Sequence, residues 1–310
     1  MKKTVNSVHV EGWLYDHKLS QRVTGANSRT PGVEFINGTV DIATDNAALN
    51  IVTIHFSYVT AVTKSNKPNA TYNALATIMN DNKSIVAVGK ENAVKVRADT
   101  SIGLNEFYTD RNGTEELVSA KRNEGGFLHI VTDTLDEDEA KRNRWEADTL
   151  ITKVREVEAD PERNLPSKVV VSGYIFDFRN ALLPVEFVAR KQSAQNYFLG
   201  LDCSDKNPTF IKLKGQQVSQ VTVRRVEEES AFDEPEVREF KNTVREYVIT
   251  RATPPYVFDS EDTMTINELK EALANREITK AEIKKRQDEY QATRNTRTSA
   301  ATVAEGDYNF

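Results

Sequence analysis

Val10-Glu11-Gly12-Trp13-Leu14-Tyr15-Asp16-His17-Lys18 recurs later in the chain as Val171-Ser172-Gly173-Tyr174-Ile175-Phe176-Asp177-Phe178-Arg179. The shared pattern is V-x-G-aromatic-aliphatic-aromatic-D-x-basic. A Val-Glu-Phe triplet follows each copy, at Val33-Glu34-Phe35 and Val185-Glu186-Phe187. Similarity over this length reads as two copies of one small module. A weaker pair, Val154-Arg155-Glu156-Val157-Glu158 and Val223-Arg224-Arg225-Val226-Glu227, falls where the two modules would close. In the first copy Val8, Val10 and Leu14 alternate with His9, Glu11, Trp13 and Tyr15, the period of a strand with one buried face. Gly12 then reads as a bulge or bend.

Working outward, further strands are expected at 35–44, 50–62, 84–88, 93–98 and 126–132, with a helix at 71–79. The second module should carry strands at 168–178, 183–189, 197–203, 209–214 and 217–226. Short strands bounded by Gly, Asn and Asp favour a small barrel or sandwich over a parallel α/β sheet, and a mainly β protein of two small barrels is expected. The expected division is 1–160 for the first module with insertions and 167–258 for the second, joined by a linker at Asp160–Pro166. Beyond Pro254-Pro255 the pattern turns helical. Thr265-Ile-Asn-Glu268 and Thr279-Lys-Ala-Glu282 are both capping-box sequences, so a short helical hairpin is expected over 263–292, with Leu269, Leu273, Ile278 and Ile283 as its seam. The last stretch, 293–310, lacks apolar periodicity and is expected to be a disordered acidic-aromatic tail.

Composition bounds the function. At 310 residues and 34.9 kDa the chain has room for about two domains. With 28% charged residues and a mean hydropathy of -0.56 it holds no membrane-spanning run. One cysteine, Cys203, excludes an intramolecular disulfide and any multi-thiolate metal site. The opening residues lack the apolar run of a signal peptide, and a cytoplasmic protein is expected, in the host cytoplasm if phage-encoded.

Catalytic constellations are missing. Val88-Gly89-Lys90 lacks the glycine and hydroxyl of a phosphate loop. His9, His17, His55 and His129 stand on separate segments, in no metal-ligand spacing. The acidic stretches 133–139 and 227–239 read as solvated faces, since neither has the spacing of a calcium loop. Neither a cofactor nor a metal is expected, and the chain reads as a non-enzyme.

The aromatic pairs carry more. Trp13 and Tyr15 share one strand face, as do Tyr174 and Phe176 in the echo. Such pairs either stack the bases of a single strand, at about 1–3 kcal/mol each, or pack under a helix or the other module. The net charge of -6 counts against a general nucleic-acid coat. Residues 167–226, however, carry nine basic side chains against four acidic ones, a basic module within an acidic chain.

The run Ser7-Val-His-Val-Glu-Gly-Trp-Leu-Tyr-Asp16, then Gly32-Val-Glu-Phe35, then Val40-Asp-Ile-Ala-Thr-Asp45, resembles the opening of bacterial and phage single-stranded DNA-binding proteins. The terminal Ala304-Glu-Gly-Asp-Tyr-Asn-Phe310 resembles that family's partner-docking tip. The resemblance implies an oligonucleotide-binding (OB) fold, and a tip formed here by Glu305, Asp307, Tyr308 and Phe310 that engages replication or recombination proteins. That family usually carries one barrel per chain, so its oligomeric state does not transfer.

The expected function is therefore to bind and coat single-stranded DNA, without strong sequence preference, during replication, recombination or repair. Trp13, Tyr15, Tyr174 and Phe176 are the expected stacking residues. Lys18, Arg179, Arg190, Lys191, Lys212 and Lys214 are the expected phosphate contacts. The alternative is a non-enzymatic structural or assembly protein, such as a virion or complex component, built from β modules.

Overall fold

A computed structural model describes residues 4–26, 28–111, 113–161, 165–228, 236–259 and 263–304. The fold is mainly β. Its first half runs β1 (Asn6–Val23), β2 (Glu34–Ala43), β3 (Ile51–Thr60), α1 (Ala70–Asp81), α2 (Ile85–Val88), β4 (Lys95–Arg111) and β5 (Thr114–Val131). The second half runs α3 (Glu139–Arg142), β6 (Asn143–Val157), β7 (Lys168–Phe176), β8 (Leu182–Ala189), α4 (Gln192–Leu199), β9 (Thr209–Glu228), β10 (Glu236–Ala252) and α5 (Ile266–Ala304).

Strand pairing closes twice. β1 pairs β2, β2 pairs β3, β3 lies parallel to β5, β5 pairs β4, and β4 returns to β1. In the second circuit β6 pairs β7, β7 pairs β8, β8 lies parallel to β10, β10 pairs β9, and β9 returns to β6. Each circuit carries its main helix between its third and fourth strands, α1 (followed by the short α2) in the first and α4 in the second. This is the order of a small OB-type barrel, in which full closure removes the exposed sheet edge. The circuits join where β1 and β6 run antiparallel, Val8 opposite Trp145.

Hydrophobic alternation explains the first barrel. Val8, Val10 and Leu14 of β1 meet Val40 and Ile42 of β2, Ile54 of β3, Val96 of β4 and Leu128 of β5 in one buried core. Leu75 and Ile78 of α1 add to it. The second barrel packs aromatic rings among aliphatic side chains such as Val171, Ile175 and Ile211. Trp145 stacks on Phe187 at 4.4 Å, and Tyr247 meets both edge-on at 6.2 Å. Gly215 lies opposite Trp145, where a Cβ would come within 2.5 Å of the indole.

Two strand circuits are present, but the sequence echo does not align them. Gly12 lies on β1, the first strand of its barrel, whereas Gly173 lies on β7, the second strand of the other. What repeats is a steric demand. A Cβ at Gly12 would stand 2.0 Å from the Ala43 carbonyl oxygen across the β1/β2 contact, and one at Gly173 would stand 1.9 Å from the Leu150 oxygen across β6/β7. Each barrel needs a glycine where its first two strands nearly touch, and the two place it on opposite partners.

The module boundary shifts accordingly. β6, expected at the end of the first module, opens the second circuit, and the supposed linker is the β6–β7 connection, where Asp160 bridges Leu165. Residues 84–88, expected as a strand, form α2, capped by the Ser84 side chain. Tyr197 to Leu199, also expected in a strand, end α4, which buries Gln195 and Phe198 on one face.

The hairpin expected over 263–292 is a single helix. Thr265 and Glu268 form a reciprocal capping box, the Glu268 N–H donating to Oγ1 of Thr265 at 3.2 Å and the Thr265 N–H to Glu268 Oε2 at 2.8 Å. The second box does not cap, because Thr279 Oγ1 donates back to the Asn275 carbonyl at 3.0 Å, as a mid-helix threonine does. Helix α5 continues to Ala304, across part of the tail expected to be disordered; 305–310 lie outside the described residues. Its first turns seal the base of the second barrel through Met264 and Leu269, beside Leu150, Phe176 and Phe210. Farther on it grips the long β4–β5 hairpin of the first barrel.

Candidate functional site

The expected stacking residues do not form one surface. Trp13 is half-buried, with the Lys90 ammonium 4.2 Å and the Arg142 guanidinium 5.5 Å from its ring centroid. Tyr15 falls in the register shift between Leu14 and Asp16, so it does not continue the alternation of Trp13. Phe176 is 0% exposed, edge-on to Phe210 at 6.0 Å, and Tyr174 packs against the same cluster. This corrects the expectation for Phe176. The echo's aromatic face is a packing surface closed by the chain from Tyr256 onward and the start of α5.

The expected phosphate contacts divide in two. Arg190 donates to Glu246 at 2.7 Å, Lys214 lies 2.8 Å from Glu146, and Lys212 lies between Glu146 and Asp148 at 3.2 and 3.9 Å. Burial opposes the charge of Lys212, but Asp148 and Glu146 outweigh it and raise its pKa. These three cations are spent inside the molecule. Lys18, Arg179 and Lys191 are exposed. The tip residues Glu305, Asp307, Tyr308 and Phe310 lie outside the described residues.

A different set of aromatics reaches solvent. Tyr58 on β3, Phe127 on β5 and Phe178 after β7 are 49%, 64% and 85% exposed, and all three line one cleft of about 1030 Å³. The cleft lies between β3, β4 and β5 of the first barrel and the β7–β8 turn of the second. Local chemistry builds both walls. Asp177 Oδ1 accepts from the N–H groups of Arg179 and Ala181 at 2.7 and 2.8 Å, and Asn180 takes a positive φ of 63°. That Asx turn lifts Phe178 out of the barrel, with the Arg179 guanidinium 4.9 Å from its ring. On the other wall Gly125 and Gly126 both adopt positive φ, and Phe127 follows them. Phe35 supports Tyr58 with ring centroids 4.7 Å apart.

Three carboxylates line the cleft, and each is engaged. Asp177 holds its own turn, Glu124 pairs with Arg122, and Glu106 pairs with Arg276 of α5. Burial acts to raise the pKa of Glu106, but hydrogen bonds from Arg276 and Ser119 outweigh it and hold the carboxyl below its ordinary value. The sequence signal for Phe178 was present at the end of the echo, an aromatic directly after a turn-forming Asp. Phe127 followed a Gly-Gly pair.

Among the described residues no group of His, Cys, Asp and Glu is arranged to hold a metal ion, and no helix is long and apolar enough to cross a membrane. Burial and the Asp202 carboxylate push the Cys203 thiol up, away from a reactive thiolate.

Fold and cleft together define a two-barrel β protein with an aromatic-lined groove between its barrels. The chain belongs to the YorF family, whose profile matches residues 4–288. Among solved structures it is similar to a deletion variant of the single-stranded DNA binding protein from Thermus aquaticus, at 10% identity and a TM-score of 0.46, over 85% of this chain and 100% of that one. Among curated proteins none matches the chain.

Proposed function

We propose that this protein binds single-stranded DNA without strong sequence preference and coats it during replication, recombination or repair. The observation that carries the reading is the convergence of exposed Tyr58, Phe127 and Phe178, with Arg179, on one inter-barrel cleft. Exposed rings are costly on a soluble surface, and a base offers each of them a face whatever its identity. The 305–310 segment, with Glu305, Asp307, Tyr308 and Phe310, is then the element that recruits a partner protein. Fluorescence anisotropy of labelled oligothymidine tests the reading. Binding at low salt that weakens as salt rises, and exceeds duplex binding, is expected; no binding at low salt overturns it.

The assembly reading draws on one observation, the internal pairing of Arg190, Lys212 and Lys214, which leaves fewer cations for a phosphate backbone. A protein silent to oligothymidine but self-associating at the same concentrations favours it.

A further inference from the structure

The barrels also meet at a second, smaller cavity of about 260 Å³, lined from β3, β5, β9 and β10. Its charged lining residues are His55, Lys121, Arg122, Arg245 and Glu246. Glu246 is already held by two cations from outside, Lys168 and Arg190, the latter at 2.7 Å. The other acids nearby are also engaged: Glu124 with Arg122, Asp41 with the Thr53 hydroxyl at 2.5 Å, and Glu186 with Arg155 at 3.9 Å and Ser172 at 3.2 Å. Lys121, Arg122 and Arg245, from two barrels, therefore line a cavity whose single lining carboxylate is held from outside, with Arg122 itself paired to Glu124 and Arg245 carrying the added charge. The aromatic cleft has the opposite balance, Arg179 against Glu106, Glu124 and Asp177.

His55 registers the nearby positive charge, and Lys121 the burial. Burial and the Arg122 guanidinium, with Arg245 beyond it, lower the pKa of His55 against the opposing pull of Glu124 and Asp41. Burial also brings Lys121 down to about 8, although Glu186 and Glu246 lie near. Its ammonium donates to the Glu186 carbonyl and sits 5.3 and 5.8 Å from the rings of Tyr247 and Phe187. A polar floor completes the cavity, where Asn123 and Gln217 exchange hydrogen bonds at 2.8 and 3.1 Å and the Tyr247 hydroxyl donates to Asn123 at 2.8 Å.

We propose that this cavity is a phosphate site, in which Arg122, Arg245 and Lys121 receive one phosphate group at the seam between the barrels. The group arrives either as a diester of a bound single strand or as free orthophosphate. Only the diester arm rests on the single-strand reading. Guanidinium groups suit such an oxyanion because they donate in a planar fork, and a phosphate held between the barrels would fix part of the strand's path past the aromatic cleft.

The test uses the full chain and follows the His55 imidazole by NMR across pH, with orthophosphate or oligothymidine added. An anion between Arg122 and Arg245 relieves their repulsion of imidazolium, so the His55 pKa rises with either ligand. In Arg245→Gln, an exposed position that should leave Tm unchanged, the phosphate-induced rise shrinks, and the slope of log affinity for oligothymidine against log salt falls by about 0.7. A rise with orthophosphate but not with oligothymidine keeps the anion site and counts against the single-strand reading. Oligothymidine that binds by anisotropy, with His55 unmoved by both ligands and the salt slope unchanged in Arg245→Gln, overturns the phosphate site and leaves the single-strand reading standing. No response to either ligand, with no anisotropy change, overturns both.

Discussion

Asn6 and Asn143, the first residues of β1 and β6, each bond both backbone groups, N–H and C=O, of one residue on a neighbouring strand. Asn6 donates to the Ile102 carbonyl and accepts from the Ile102 N–H, both at 2.9 Å. Asn143 does the same to Gln217, at 2.6 and 3.2 Å. Ile102 lies on β4 and Gln217 on β9, the fourth strand of each barrel, so the two clamps occupy matching positions. They show the duplication more faithfully than the glycine motif does.

Removing a clamp leaves a buried strand peptide without its partners. Asn143→Ala should cost about 2–3 kcal/mol, because Asn143 is itself buried and lies at the β1–β6 contact opposite Val10. Urea denaturation monitored by circular dichroism measures it. A change below about 0.5 kcal/mol would mean that water replaces both bonds.

Arg276 and Glu106 join α5 to the first barrel with side chains only 3% and 9% exposed. Breaking this pair from one side, by Arg276→Ala, should destabilise by about 3–5 kcal/mol, and the double change to leucine by less. The pH dependence follows from the lowered pKa of Glu106. Its contribution is complete above the unfolded value near 4.5 and is lost as pH falls through the lower folded value. Stability of Glu106→Gln should therefore show less acid dependence below pH 4.5, read from Tm across an acid series.

Lys121 moves stability with pH in the same direction, but here the charged form is the one the fold disfavours. Its folded pKa of about 8 lies below the ordinary lysine value of 10.5, so between those limits the unfolded chain binds more protons and stability rises with pH. Lys121→Met should raise Tm at pH 7 by a few degrees, with the advantage fading above pH 8. An unchanged pH profile would show that the ammonium is not desolvated as described.

The aromatics separate function from stability. Phe127→Ala and Phe178→Ala should each weaken oligothymidine binding by about 1–3 kcal/mol with little change in Tm. Phe176→Ala should instead cost about 3–5 kcal/mol of stability through the cavity it leaves. Equal effects of Phe127→Ala and Phe176→Ala on Tm would remove the distinction.

Much of the fold was legible because barrel strands announce themselves by alternation; Val8, Val10 and Leu14 sit in the core as their spacing required. The continuous α5 was missed because its seam changes character. After Leu269 and Leu273 the inward positions are Arg276 and Gln287, which bond to Glu106 and to the backbone of Tyr108. No apolar period marks a helix whose contacts are ionic and amide. The site was less legible still. Whether an aromatic faces bases or a neighbouring helix depends on what a distant segment covers, and Phe176 was claimed by chain nearly a hundred positions later. Likewise the basic count of the second module did not reveal that Glu146, Asp148 and Glu246 would engage four of its nine cations.

The β1–β6 seam has a consequence for stoichiometry. Val8 and Trp145 face each other with neighbours paired symmetrically on either side, Asn6 with Ala147 and Val10 with Asn143. A protein built from single barrels must find such a contact in another molecule and loses it on dilution. Here both halves are covalently tethered, so the pair stays whole at any concentration, and a cell holding only a few copies still holds the complete unit.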